Sequence, residues 1–328
     1  MRPELATPTP SRSLRGDARV VPTAPDSEAA AAALVELGQA LVEDGYEFVT
    51  VTPATHARAL HRRGELATDL RDVFGWNRPF DPDLLPTPIL TALRAAGCCR
   101  VDGTRLRSAV RFSSFESRLF VHSAYPTLER DAVFFGPDSY RFASAVLRHA
   151  PHSERIVDVG CGAGVGGIVL SSRGRQLVLA DINERALFYS RVNARLAGIE
   201  PEIVHSDVLA GVGGDIDLVI ANPPYLIDGP GRLYRDGGGE FGEALAVRIV
   251  QDALARLSPG GSLLLYTGSA IVDGCDAFLR AVSPIIARAH ASADYEELDP
   301  DVFGEELDDP KYIDVERIAA VLLRVTLE

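Results

Sequence analysis

The chain has 328 residues, room for two domains, and its 46% hydrophobic content is that of a soluble globular protein. No run of about 18 apolar residues and no apolar leader stands near the N-terminus, which argues against membrane association and makes a cytoplasmic protein the expectation. The net charge of −13 lies in the second half, where residues 151–328 hold 15 Lys and Arg against 28 Asp and Glu, while residues 1–150 hold 18 of each. Such acidity disfavours nucleic acid as a partner without excluding it, because a single basic patch suffices. Cys98, Cys99, Cys161 and Cys275 lack metal-ligand spacing, so no metal is expected and a reducing compartment fits.

Residues 1–25 are rich in Pro, Ser, Thr and Arg without periodicity and are expected to be a disordered tail. Asp26 or Ser27 is placed to cap a helix over 29–42, with Leu34, Leu37 and Leu41 on one face. A strand is expected at 48–52, short helices at 55–63 and 66–74, and a core corner at Trp76 beside Arg78-Pro79-Phe80. A helix at 87–96 stops at Gly97, and strands follow at 98–101, 105–112 and 119–123, the first two joined by a turn at Asp102-Gly103. This order resembles a winged-helix module, so residues 26–130 are expected to form a mainly helical, winged-helix-like domain. Arg94, Arg100, Arg105, Arg107, Arg111 and Arg118 cluster there against Asp102 and Glu116. A wing could offer them to nucleic acid. Alternating arginines are more commonly the wet face of a strand, which favours a substrate-recognition or dimerisation domain and leaves the oligomeric state open.

Residues 131–138 bridge to a helix at 139–149 and to the second domain, 131–328. The chain then reads Arg-Ile-Val-Asp-Val-Gly-Cys-Gly-Ala-Gly-Val-Gly-Gly over 155–167. An apolar strand at 156–159 breaks into glycines, and a helix begins near Ile168. Strand, glycine turn and helix are the first unit of a nucleotide-binding α/β sheet. Gly162-x-Gly164-x-x-Gly167 fits the dinucleotide pattern, so NAD has to be weighed. Asp158, inside the strand's end, would crowd a pyrophosphate and better suits a cationic ligand such as S-adenosylmethionine, which carries an ammonium and a sulfonium. A second strand at 176–180 ends at Asp181, about 20 residues on, where a carboxylate can accept ribose hydroxyls. Asp181 can equally cap the helix expected at 183–193. A third strand at 203–208 carries Asp207, either an acceptor for the adenine amino group or a solvated loop residue.

A fourth buried strand at 218–221 delivers Asn222-Pro223-Pro224-Tyr225 to the same carboxyl edge. An amide or aryl-amine nitrogen is a poor nucleophile because its lone pair is delocalised. Two acceptors that bind its N–H groups, the Asn222 side-chain carbonyl and the Pro223 backbone carbonyl, can aim that lone pair. Prolines fix φ and remove donors, so the turn presents acceptors in a rigid shape, and Tyr225 can stack on a flat acceptor. Methyl transfer then needs alignment more than proton chemistry.

Asp158, the glycines, acidic strand ends and Asn-Pro-Pro-Tyr together resemble the class I S-adenosylmethionine-dependent methyltransferases that act on planar nitrogens. These include protein glutamine N5-methyltransferases and the adenine-N6 and guanine-N2 enzymes of DNA and RNA. The glycine loop at 235–242, a helix at 243–257, Ser258-Pro-Gly-Gly261 and a strand at 262–266 are similar to the glutamine branch. Tyr266-Thr267-Gly268 stands where that branch has Glu-x-Gly, its Pro-Arg-Pro-x-Thr-Glu signature is missing, and Gly136-Pro-Asp-Ser-Tyr140 occupies a comparable position. The resemblance covers roughly 135–327. It implies an α/β fold with a seven-stranded Rossmann-like methyltransferase sheet and S-adenosylmethionine as cofactor. The implied cofactor contacts are Asp158, Gly160, Cys161, Gly162, Gly164, Asp181, Ile182, Asp207, Val208 and Asn222, with Asn222, Pro223 and Tyr225 as the catalytic set. In related enzymes the segment before the first strand lids the cofactor, which makes Phe135 and Tyr140 candidate neighbours.

A helix at 275–282 and strands at 287–295 and 317–326 should close the sheet. The acidic stretch 296–316 is read as a solvated loop bordering the substrate opening. The favoured function is methyl transfer to an amide or amine of a protein or small molecule. The alternatives are an RNA adenine-N6 or guanine-N2 methyltransferase and a non-catalytic, cofactor-sensing DNA-binding regulator.

Overall fold

In the computed structural model of the protein, residues 27–328 are described. The expected tail at 1–25 and the Asp26 cap lie outside them. Helix α1 (Glu28–Glu43) opens on Ser27, whose side chain accepts from the Ala30 amide at 3.2 Å. Its alanine-rich sequence favours helix, and Leu34, Leu37 and Leu41 are fully buried. Helices α2 (Pro53–Arg63), α3 (Leu70–Phe74) and α4 (Thr87–Ala95) follow, the last stopped by Gly97 at φ 67°. Among the described residues, no helix is long and apolar enough to cross a membrane.

The region before residue 131 differs from expectation in two places. Residues 48–52 run outside any strand, although the Phe48 carbonyl accepts from the Ser114 amide at 2.7 Å. The expected ribbon is two separate antiparallel pairs. Strand β1 (Cys99–Asp102) pairs with β2 (Arg105–Ser108), and β3 (Val110–Phe115) with β4 (Arg118–Ser123). The strand expected over 105–112 breaks at Ala109. There the Ser108 hydroxyl donates to the Val110 carbonyl at 2.6 Å and accepts from the Val110 amide at 3.2 Å, a local alternative to ladder pairing.

Most of the ribbon arginines are engaged within the fold. Arg107 reaches Asp102 at 2.7 Å and the Asn77 carbonyl at 2.5 Å. Arg105 pairs with Asp81 and Arg100 with Glu129, both at 3.4 Å. Arg111 is 4% exposed and donates to the Gly75 carbonyl at 2.8 Å, and Arg118 donates to the Ile168 carbonyl at 3.3 Å.

Beyond these come α5 (Pro137–His149), β5 (Ser153–Val159), α6 (Val165–Val169), β6 (Gly174–Asp181), α7 (Glu184–Leu196), β7 (Glu202–His205) and β8 (Ile216–Ala221). The chain finishes with α8 (Ala244–Leu254), β9 (Leu257–Val272), β10 (Cys275–Asp276), α9 (Ala277–Arg288), β11 (Ala291–Asp299) and β12 (Arg317–Leu327). The main sheet runs β11-β12-β9-β8-β5-β6-β7, and β10 pairs with β9 off this path. It is therefore an 8-stranded sheet rather than the expected seven. The extra strand is the two-residue β10, which the sequence reading assigned to a helix. Asp276 keeps the chain extended there and caps α9 one residue later, accepting from the Leu279 amide at 2.7 Å.

Strands β7, β6, β5, β8 and β9 are parallel, and β12 and β11 turn antiparallel. Parallel strands are covered on both faces, and alternate residues serve different cores. On β8, Leu218 and Ile220 join the cluster under α1, α5 and α7, while Val219 and Ala221 join the cluster under α8 and α9. The first cluster runs without a break from Ala30 to Leu322, so the N-terminal helices share a core with one face of the sheet. Asn193 on α7 stitches the join. It is 1% exposed, accepts from the Val121 amide at 2.7 Å and donates to the carbonyls of Val121 and Ala163.

Candidate active site

Four strand ends meet at the sheet's carboxyl edge, and their turns wall one cleft. Of the sequence-predicted residues, Gly160, Cys161, Gly162, Asp181, Ile182, Asp207, Val208, Asn222, Pro223 and Tyr225 line it. Asp158 and Gly164 are not on its wall. Phe135 lines it as well, whereas Tyr140 packs behind, its hydroxyl accepting from the Thr50 amide at 3.0 Å.

The turn after β5 is shaped by glycine in two ways. Gly160 and Gly162 take φ of 66° and 55°, and a Cβ built on either would meet nothing within 4 Å. Their backbone is bare toward open space. Gly166 and Gly167 are needed for packing instead, since a Cβ there would strike Phe142 or Leu179. Asp158 lies one layer behind the turn, 1% exposed, and accepts from the Gly167 amide at 2.7 Å. Burial, with Asp181 nearby, pushes its carboxyl up to about 7. Gly164 caps α6 with φ 77°.

Asp181 bridges the turn to α7. One carboxylate oxygen accepts from the Gly162 amide and the other from the Asn183 amide, both at 2.9 Å. Burial raises its pKa. The cap of α7 is Asn183, which accepts from Arg185 at 3.0 Å, so the alternative reading of Asp181 as the cap is corrected. Next to it Ile182 is 50% exposed, an apolar side chain left bare at the cleft. Val208, which lines the same cleft, takes φ 52°. The Asp207 carboxylate faces Arg248, with one guanidinium bond of 2.9 Å to each oxygen.

At the other end, Asn222 is half-buried. Among the described residues, neither its side chain nor the Pro223 carbonyl has a hydrogen-bond partner. Tyr225 is 6% exposed. Its ring lies on Gly268, where a Cβ would strike it, and its hydroxyl donates to Asp138. The glycine loop closes on the turn backbone to backbone: the Leu226 amide donates to the Arg235 carbonyl at 3.1 Å, and Gly237 to the Leu226 carbonyl at 2.9 Å.

Asp138 also lines the cleft, and sequence reasoning gave it no role. An Asp in the first turn of a helix reads as a complement to the helix dipole, which hid it. Phe303 and Arg235 complete the wall from loops whose apposition no local pattern signals.

A mainly parallel sheet with acidic strand ends, an open glycine turn and a proline turn in one cleft at its carboxyl edge is a Rossmann-like methyltransferase fold. Residues 134–272 match the family model described as "Methyltransferase small domain". S-adenosylmethionine is the cofactor of such domains, and the bare backbone at Gly160 and Gly162 beside Asp181 fits it. Among similar proteins is the ribosomal RNA small subunit methyltransferase C of Chromohalobacter salexigens. It is 31% identical over 197 residues, which is 55% of this chain and 56% of that protein. The release factor glutamine methyltransferase of Deinococcus radiodurans is 35% identical over 126 residues, 34% of this chain and 44% of that one. The chain thus spans about half the length of these relatives. The crystal structure of an M. jannaschii tRNA m1G37 methyltransferase aligns with a TM-score of 0.47 at 15% identity, covering 67% of this chain and 57% of that one. That likeness is too distant to bear on function.

Proposed function

We propose that this chain transfers a methyl group from S-adenosylmethionine to a planar nitrogen, an amide or amine, on a protein or small-molecule acceptor. The observation that carries the proposal is the pair of unpartnered acceptors, the Asn222 side chain and the Pro223 carbonyl, opening onto the cleft that also contains Gly160 and Gly162. Bound S-adenosylmethionine supplies a methyl group activated by positively charged sulfur. Gly160, Cys161 and Gly162 let it approach the backbone. Asp181 takes the ribose hydroxyls, Ile182 and Val208 flank the adenine, and the spare lone pairs of Asp207 receive its amino group. Asp158 sets the charge beneath the methionine end from behind the turn, and Gly164 sets the turn's direction. Asn222 and Pro223 accept the two N–H bonds of the acceptor and hold its lone pair in line. A group held this way loses about 100-fold in rate on a displacement of about 1 Å.

A second reading, a nitrogen of RNA, is favoured by the longer match to a ribosomal RNA methyltransferase. The acidic second half and the internally paired ribbon arginines speak for the first. Labelled S-adenosylmethionine added to extract of a deletion strain separates them. Label removed by protease supports a protein acceptor, label removed by RNase supports RNA, and no label in any fraction contradicts both.

A further inference from the structure

We propose that Asp138 is a positioning residue that fixes the Asn222–Tyr225 turn through the hydroxyls of Tyr225 and Tyr266; this rests on the reading of that turn as the acceptor site. Asp138 is the second residue of α5, from an element far in sequence from the turn, and is 5% exposed. One carboxylate oxygen accepts from the Tyr225 hydroxyl, the other from the Tyr266 hydroxyl at 2.9 Å and from Arg141 at 3.3 Å. Arg141 also reaches Asp299 at 2.8 Å, so a charged chain runs from the buried carboxylate to the segment that carries Phe303. Two hydroxyl donors and the Arg141 guanidinium make a buried carboxylate tolerable there.

The arrangement matters because the turn has little else to hold its side chains. Among the described residues, the bond to Asp138 is the one side-chain hydrogen bond made by residues 222–225. Asn222 and Pro223 are left free for a ligand, so their aim is set by the anchored neighbour. Tyr225 is clamped by Asp138 at its hydroxyl, by Gly268 against its ring, and edge-on by Phe303 at 5.9 Å between ring centres. A ring so enclosed acts as a peg rather than as a stacking surface. Tyr266 completes the device from β9. Its hydroxyl donates to the Asp138 oxygen that Tyr225 does not use.

The test uses the full chain with Tyr225→Phe, Tyr266→Phe, Asp138→Asn and Asn222→Ala. Transfer from labelled S-adenosylmethionine to undermethylated deletion-strain extract is read beside calorimetric affinity for S-adenosylhomocysteine and the thermal midpoint. Tyr225→Phe and Asp138→Asn should each slow transfer about 10- to 100-fold at saturating extract, with cofactor-product affinity within about twofold. Combining the two should cost little more than either alone, because they break one link. Tyr266→Phe should act in the same direction and less. Wild-type transfer by Tyr225→Phe, or losses that multiply in the double variant, would overturn the proposal. A purely structural role would lower the midpoint and the affinity while sparing the rate, and overturns it equally. Should Asp138→Asn not fold, the two Phe variants, which lose only a hydroxyl, decide alone. If Asn222→Ala transfers normally, the acceptor-site reading itself falls; if it is dead while Tyr225→Phe is normal, only the positioning role does.

Discussion

A Cβ added to Gly160 or Gly162 would enter empty space, whereas one added to Gly237, Gly242 or Gly268 would strike the turn at Pro224 and Tyr225. The same residue type leaves room at one end of the cleft and removes it at the other. The proposed cofactor end is a bare backbone backed by a carboxylate that holds the Gly162 and Asn183 amides. The proposed acceptor end is a proline-stiffened corner gripped by a glycine loop and a buried carboxylate. On this proposal one end receives a ligand and the other holds a direction, the division that transfer by alignment requires.

The comparison breaks if substitutions at the two ends have the same signature. The largest expected effect is at the acceptor end: Asn222→Ala should lower methyl transfer about 100-fold and leave S-adenosylhomocysteine affinity within about twofold, measured by label incorporation and calorimetry. At the cofactor end, Asp181→Asn turns one amide acceptor into a donor facing an N–H. It should weaken S-adenosylhomocysteine at least about 10-fold, in keeping with the roughly 1.5–3 kcal/mol attached to charged hydrogen bonds. Ile182→Ala removes an exposed apolar side chain and should weaken the same ligand about three- to tenfold. The smallest effect sharpens the role of Asp158. Its folded carboxyl titrates at about 7 against an ordinary 3.8, so the unfolded chain loses this proton first. The contribution is therefore most favourable at acid pH, erodes as pH rises from about 4 to about 7, and is constant above. Asp158→Asn keeps an acceptor for the Gly167 amide and removes that slope. Denaturant melts should show the variant gaining on wild type from pH 5 to pH 8.

The strands and the glycine turn were legible because their signals are local: apolar runs of four to six residues, closed by glycine or by Asn-Pro-Pro. Of the nine residues proposed to meet the cofactor before Asn222, seven line the cleft, whereas Asp158 and Gly164 stand off its wall. Whether a strand's last residue faces the ligand or the layer behind is set by side-chain alternation and by α6, which spans five residues. Asp138 was illegible because its partners, Tyr225 and Tyr266, are 87 and 128 residues away. The ribbon was legible in part: Arg100, Arg105 and Arg107 lie on its partly exposed face, as alternation suggests, but their pairing with Glu129, Asp81 and Asp102 arises only once the fold is made.

The most direct test of the account is a crystal structure of the chain with S-adenosylhomocysteine. The account predicts the ligand's backbone-facing side along Gly160–Gly162, its ribose at Asp181, its adenine beside Ile182, and its sulfur turned toward the Asn222 side chain. Ligand bound outside this cleft, or with its sulfur directed away from Asn222, would contradict it.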